Sequence, residues 1–160
     1  MNLVEKSDAE IDVWILNHER KGATEIALYK SLLEERARRS SSGLKIENSL
    51  RHLTNAARQR GFTTYGDLAK ASEVPWSQAR HSMNGSRGHL DQLLEICHAR
   101  GLPLLTALCV NQQKVETGDL SEDALRGFLN GAKRLGYAVT SAETFLKECQ
   151  QQCFEWGASL

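Results

Sequence analysis

The segment Phe62-Thr63-Thr64-Tyr65-Gly66-Asp67-Leu68-Ala69-Lys70-Ala71-Ser72-Glu73-Val74-Pro75-Trp76-Ser77-Gln78-Ala79-Arg80-His81-Ser82-Met83 decides the fold. Phe62 to Thr64 reads as a short extended entry, because threonine and phenylalanine favour the pleated backbone. Thr63 or Thr64 then has the hydroxyl needed to cap a helix bearing Tyr65, Leu68 and Ala69. Glu73-Val74-Pro75-Trp76 ends that helix, since the residue before a proline is pushed out of the helical region. A second helix starts near Ser77 and runs to about Met83, where Asn84-Gly85-Ser86-Arg87-Gly88 interrupts it. Two short helices joined by the turn Ala71 to Trp76 predict a helix-turn-helix.

The flanks extend this motif. Upstream, Leu50, Leu53, Ala56 and Ala57 mark a helix that stops at Gly61. Downstream, His89 to Ala99 carries Leu90, Leu93, Leu94 and Cys97 on one stripe and closes at Gly101. Leu104 to Val110 is the one convincing strand, and the polar run Asn111 to Asp119, with Gly118, follows it. That order predicts a winged helix-turn-helix with a short β wing. Ahead of it, Ile11, Trp14, Ile15 and His18 follow helical spacing behind a Ser7 cap, and Lys21-Gly22 ends the helix. Thr24 is expected to cap a second, with Leu28, Tyr29, Leu32 and Leu33 as its stripe. Leu120 to Gly136 and a segment capped by Ser141 are the C-terminal helices, and Phe154 and Trp156 are expected to be buried. The chain is thus expected to be mainly α. Residues 1–43 form a helical arm ending in the linker Ser40 to Gly43, 44–118 the winged helix-turn-helix domain, and 119–160 a C-terminal helical segment.

Length and composition set the class. The 160 residues, 41% hydrophobic and 25% charged, fit one compact soluble domain with or without an added arm. Collagen-like, wholly disordered and strongly basic chromatin-type chains are excluded. Charged residues near the start leave no secretory core, and Leu102 to Val110 is far too short to span a bilayer. A cytoplasmic protein with no membrane partner is expected. Cys97, Cys109, Cys149 and Cys153 contain no CxxC pair, so they read as reduced and structural, with no metal and no cofactor.

The formal net charge is zero, with 20 Lys+Arg against 20 Asp+Glu, but the charges are segregated. Between Asn48 and Gly66 lie Arg51, Arg58 and Arg60 without an acid, and between Val74 and Leu90 lie Arg80 and Arg87, again without one. From Asp119 onward six acids face four bases. Acid-free arginine runs on a helix-turn-helix are what a phosphate track requires. Candidate DNA contacts are Arg58, Arg60, Thr64, Tyr65, Trp76, Ser77, Gln78, Arg80, His81, Asn84 and Arg87. Gln and Asn match adenine and Arg matches guanine in the major groove. Trp76 either packs on the preceding helix or stacks on a sugar or base. His81 and His89 either touch phosphate or are ordinary exposed histidines, and Asn84 to Gly88 is either a phosphate cradle or a flexible break.

Thr64-Tyr65-Gly66-Asp67-Leu68-Ala69 resembles the start of the DNA-binding domain of alkylguanine-DNA alkyltransferases and alkyltransferase-like proteins, which carry a similar Thr-Tyr-Gly-Glu-Leu-Ala segment. Ala79-Arg80 is similar to that family's recognition helix, where an arginine takes the place of a flipped nucleotide. Leu102-Pro103-Leu104-Leu105 is similar to the run leading into its Pro-Cys-His-Arg motif. The resemblance implies a DNA-facing scaffold over about Asn48 to Asn111, with Tyr65 and Arg80 as contacts. It does not carry the catalysis. The nucleophile position falls on Leu108, and Val110, not histidine, follows Cys109.

The expectation is a non-enzymatic protein that binds double-stranded DNA, as a regulator or DNA-structure sensor. The arm's two amphipathic helices, carrying Trp14, Tyr29, Leu32 and Leu33, either fold back or form a homodimer that pairs two half-sites, the reading preferred here. The alternative is a protein-interaction adaptor or inhibitor subunit of a bacterial regulatory or defence complex, supported by the acidic C-terminal segment and the apolar arm. A relic alkyltransferase acting through Cys109 is the third.

Overall fold

Ser7 opens the first helix with both halves of a capping box. Its hydroxyl accepts from the Glu10 amide at 3.1 Å, while the Glu10 carboxylate accepts from the Ser7 amide at 3.2 Å. In the computed structural model, which describes residues 2–40 and 42–160, this helix is α1, Asp8–Arg20. It is followed by α2 (Ala27–Arg38), α3 (Ile46–Arg58), β1 (Thr63–Thr64), α4 (Tyr65–Ala71), α5 (Trp76–Met83) and α6 (His89–Ala99). Then come β2 (Cys109–Val110), α7 (Glu122–Arg134) and α8 (Ala142–Ala158). The described residues are therefore mainly helical, with one two-stranded parallel sheet pairing Thr63 with Cys109 and Thr64 with Val110. No helix among them is long and apolar enough to cross a membrane.

The helix-turn-helix segment folds as its residues dictate. The Thr64 hydroxyl accepts from the Asp67 amide at 3.1 Å and caps α4. Glu73 takes a left-handed φ of 59°, which turns the chain, and Pro75 starts α5. The turn is pinned to α3 from both sides. Asn48 donates to the Ala71 carbonyl at 2.9 Å, and the Ser72 hydroxyl accepts from the Lys45 amide at 2.8 Å.

The N-terminal arm belongs to the same core as the rest. α2 lies on α6, and Tyr29, Leu32 and Leu33 are fully buried. The stripe expected to build a dimer is thus covered within one chain. Thr24 does not cap α2, which begins at Ala27 behind Ile26 without a side-chain cap. Thr24 is buried instead, and its carbonyl accepts from the His98 ring at 2.7 Å, fastening the α1–α2 turn to α6. Of the expected linker, Ser41 lies outside the described residues, as does Met1 of the arm.

α8 packs along α3, and Gly157 is where they meet. A Cβ there would stand 2.5 Å from the Ala57 carbonyl carbon, so a side chain would separate the helices.

The region expected to be strand and wing is different. Leu105–Leu108 is a 3-10 turn, and only Cys109–Val110 is extended. Asn111 to Gly118 contains a second 3-10 turn, Gln112–Lys114, in place of a β-hairpin arm. The loop is held by packing where the sequence pattern expects strand pairing. The buried Gln150 amide of α8 donates to the Ala107 and Gly118 carbonyls at 3.0 and 2.8 Å, and Gly118 sits against the Phe62 ring. Backbone groups that a hairpin partner would satisfy are satisfied by α8.

Candidate nucleic-acid interface

α5 buries Ala79 and Met83 and leaves the rest of its surface to solvent. Ser77, Gln78, Arg80 and His81 are exposed on it, and Asn84 is exposed at its end. Trp76, in the first turn, is 43% exposed and is not among the apolar side chains packed against the core. Six polar or aromatic groups on and beside α5 are therefore open to solvent.

The ion pairs sort the arginines further. Arg36, Arg38, Arg39, Arg87, Arg100, Arg126 and Arg134 each meet a carboxylate. Among the described residues Arg20, Arg58, Arg60 and Arg80 meet none, and all but Arg20 come from the acid-free runs; Arg51 makes no ion pair but lies one turn from Glu47 and helps lower its pKa. Arg80 is fastened only by a 3.4 Å contact to its own helix at the Ser77 carbonyl. Arg58 closes α3, and Arg60, just beyond, sets its guanidinium 5.2 Å from the Phe154 ring centroid of α8. That cation–π contact leaves the charge unneutralised.

Other candidates have partners. Thr64 uses its hydroxyl to cap α4. Arg87, in the Asn84 to Gly88 loop, points toward α1 and pairs with Asp12. His89 corrects the reading of it as a surface histidine. It is 1% exposed as the first residue of α6, with its Nε2 2.7 Å from the Ser49 hydroxyl and its Nδ1 without a partner. Burial lowers its pKa to about 4.

Tyr65 and Asn84 meet at a cleft of about 680 Å³. Its lining pairs apolar Leu94, Cys109 and Phe128 with polar Asp91, Asn111 and Ser121. Burial, and after it the neighbouring Cys109, raise the Tyr65 phenol to about 12, so it remains a neutral donor at physiological pH. Burial and then the Asp67 carboxylate push the Cys109 thiol well above its ordinary value. A thiol in that state is a poor nucleophile. Sequence reasoning names Tyr65 and Asn84 as separate candidate DNA contacts without linking them, and misses the wall supplied by α7, including Ser121 and Phe128. Those positions read as ordinary helix cap and core, and nothing in their spacing links them to a turn more than 30 residues earlier.

Among the described residues no cluster of three or more His, Cys, Asp or Glu is arranged to hold a metal. The likeness to alkyltransferases rests on the short motifs alone: no family model, no curated protein and no solved structure matches the chain.

Proposed function

We propose that this chain is a non-enzymatic protein of winged helix-turn-helix type that lays α5 on double-stranded DNA and acts as a regulator or DNA-structure sensor. The observation that carries the reading is the segregation of arginines without carboxylate partners, Arg58, Arg60 and Arg80, into the two runs around the α4–turn–α5 motif. A guanidinium already paired with a carboxylate must break that pair to hold a phosphate, whereas these need only shed water. Ser77, Gln78, His81 and Asn84 supply hydrogen-bonding groups on the same outward surface, and the loop from Asn111 to Gly118 takes the place of the wing. With a net charge of zero, long-range steering is weak, and affinity comes from local contacts. A homodimer that doubles the footprint would use the outer side of α1, where Val13 and Leu16 are exposed.

The test is fluorescence anisotropy with a labelled duplex across a salt series. Each phosphate contact contributes about 0.9 to the slope of log affinity against log salt. Arg58→Ala with Arg80→Ala is expected to weaken binding at low salt and to flatten the slope by about two. Unchanged affinity and slope would refute the assignment.

The adaptor reading is favoured by the same exposed Val13 and Leu16, together with Glu122 and Asp123 at the solvent-facing start of α7. Stoichiometric co-purification of a protein, with no salt-sensitive DNA binding, would replace the first reading by this one.

A further inference from the structure

We infer that α1 acts as a brake on the DNA surface: Asp12 holds Arg87, and docking on DNA exchanges that carboxylate for a phosphate. The inference rests on the DNA-binding reading above and adds a mode of regulation to it. Arg87 lies in the loop that directly follows α5, and its guanidinium pairs with Asp12 across the gap to the N-terminal arm. Asp12 also receives Arg36 at 3.4 Å. Burial opposes ionisation of Asp12, but the Arg87 and Arg36 guanidiniums hold its carboxyl below the usual range.

Two features make this contact an exchangeable latch. First, the pair is at the surface, with the Arg87 side chain 59% and the Asp12 side chain 34% exposed. Such pairs are weak and salt-screened, so a phosphate competes with them on comparable terms. Second, departure of Arg87 leaves Asp12 with Arg36, and no carboxylate is stranded. The rest of the loop has its own fastenings: the Arg87 amide donates to the Asp91 carboxylate at 3.2 Å, and Gln92 donates to the Arg87 carbonyl at 3.1 Å. The side chain can therefore swing without unfolding the loop. A charged cavity of about 180 Å³ beneath the pair, lined by Arg36, Arg39, Gln92 and Glu95 among others, admits water to the contact. Asn84, Gly85 and Ser86 of the same loop line the Tyr65 cleft.

The experiment compares the wild-type chain, Asp12→Asn, Arg87→Ala and the double variant, by anisotropy with a labelled duplex at low salt. Asp12→Asn is expected to tighten binding between about twofold and fivefold, the range of a surface ion pair. In the Arg87→Ala background the same change is expected to have no effect. Equal affinity of wild type and Asp12→Asn overturns the latch, and so does an equal gain in the Arg87→Ala background, which would mark simple charge removal. If none of the four proteins binds DNA, the underlying functional reading has failed. Circular dichroism confirms folding, and Asp12→Ser replaces Asp12→Asn if the latter does not fold.

Discussion

Acidification tests the burial of His89 directly. Its ring is closed between α3 and the start of α6, with one nitrogen on Ser49 and the other without a partner. In the unfolded chain it binds a proton at about pH 6.5, and in the folded chain only at about pH 4. The folded pKa is depressed, so the unfolded state takes up the proton first, and stability falls as pH drops from about 6.5 toward 4. The full gap corresponds to about 3 kcal/mol, a large share of a small domain's stability. By pH 4.5 most of this is lost. Carboxylates titrate in the same window, so the effect is isolated against His89→Gln, which keeps a donor near Ser49 but does not titrate. Urea denaturation of both proteins is followed by circular dichroism at pH 7.5 and 4.5. The wild type is expected to lose between about 2 and 3 kcal/mol more than the variant over this range. Equal losses in the two proteins would show that His89 is not buried as described, and the account of the α3–α6 junction would fall.

Three further outcomes follow from the packing. Glu95 of α6 is buried between Arg36 at 2.5 Å and Arg134 at 2.8 Å, so Glu95→Ala is expected to cost about 3 kcal/mol in urea denaturation. The value lies at the low end for a buried pair because Arg36 keeps Asp12 and Arg134 keeps Glu19; a loss below about 1 kcal/mol would contradict the network. Gly157→Ala places a methyl against the Ala57 backbone and is expected to cost about 2 kcal/mol, read as a lowered melting temperature. All four thiols are buried, and burial raises Cys97 and Cys149 to about 12 and Cys109 and Cys153 well above their ordinary value. A disulfide reagent at pH 8 is expected to modify none of them rapidly in the native protein and all four in urea; one fast-reacting native thiol would contradict this.

Local chemistry made much of the site legible. Thr64 caps α4 because its hydroxyl stands three residues before an amide that needs an acceptor, and Pro75 starts α5 because its ring fixes a compatible φ. The exposure of Ser77, Gln78, Arg80 and His81 follows from Ala79 and Met83 being the residues of α5 that bury apolar surface. The pairing of Arg87 was not legible. Asp12 lies 75 residues earlier on a helix whose apolar spacing says where its core side is, and says nothing of what its polar side meets. The 3-10 turns at 105–108 and 112–114 escaped for a related reason. An apolar run such as Leu104 to Val110 looks the same whether it is a strand or a packed turn, and the choice fell to Gln150 on α8.

Legible from the residues alone were the helices and their breaks, the Ser7 and Thr64 caps (though not the expected Thr24 and Ser141 caps, which make no side-chain bond), and the separation of a zero net charge into a basic centre and an acidic C-terminal region. These depend on interactions within a few residues, which spacing records. Only the tertiary structure decided which charges remain available. It covers the arm's apolar stripe with α6, neutralises Arg87 with Asp12, buries His89, and leaves Arg58 and Arg80 without a carboxylate. Whether a cation is available depends on groups brought together from distant parts of the chain, and that proximity exists only after folding.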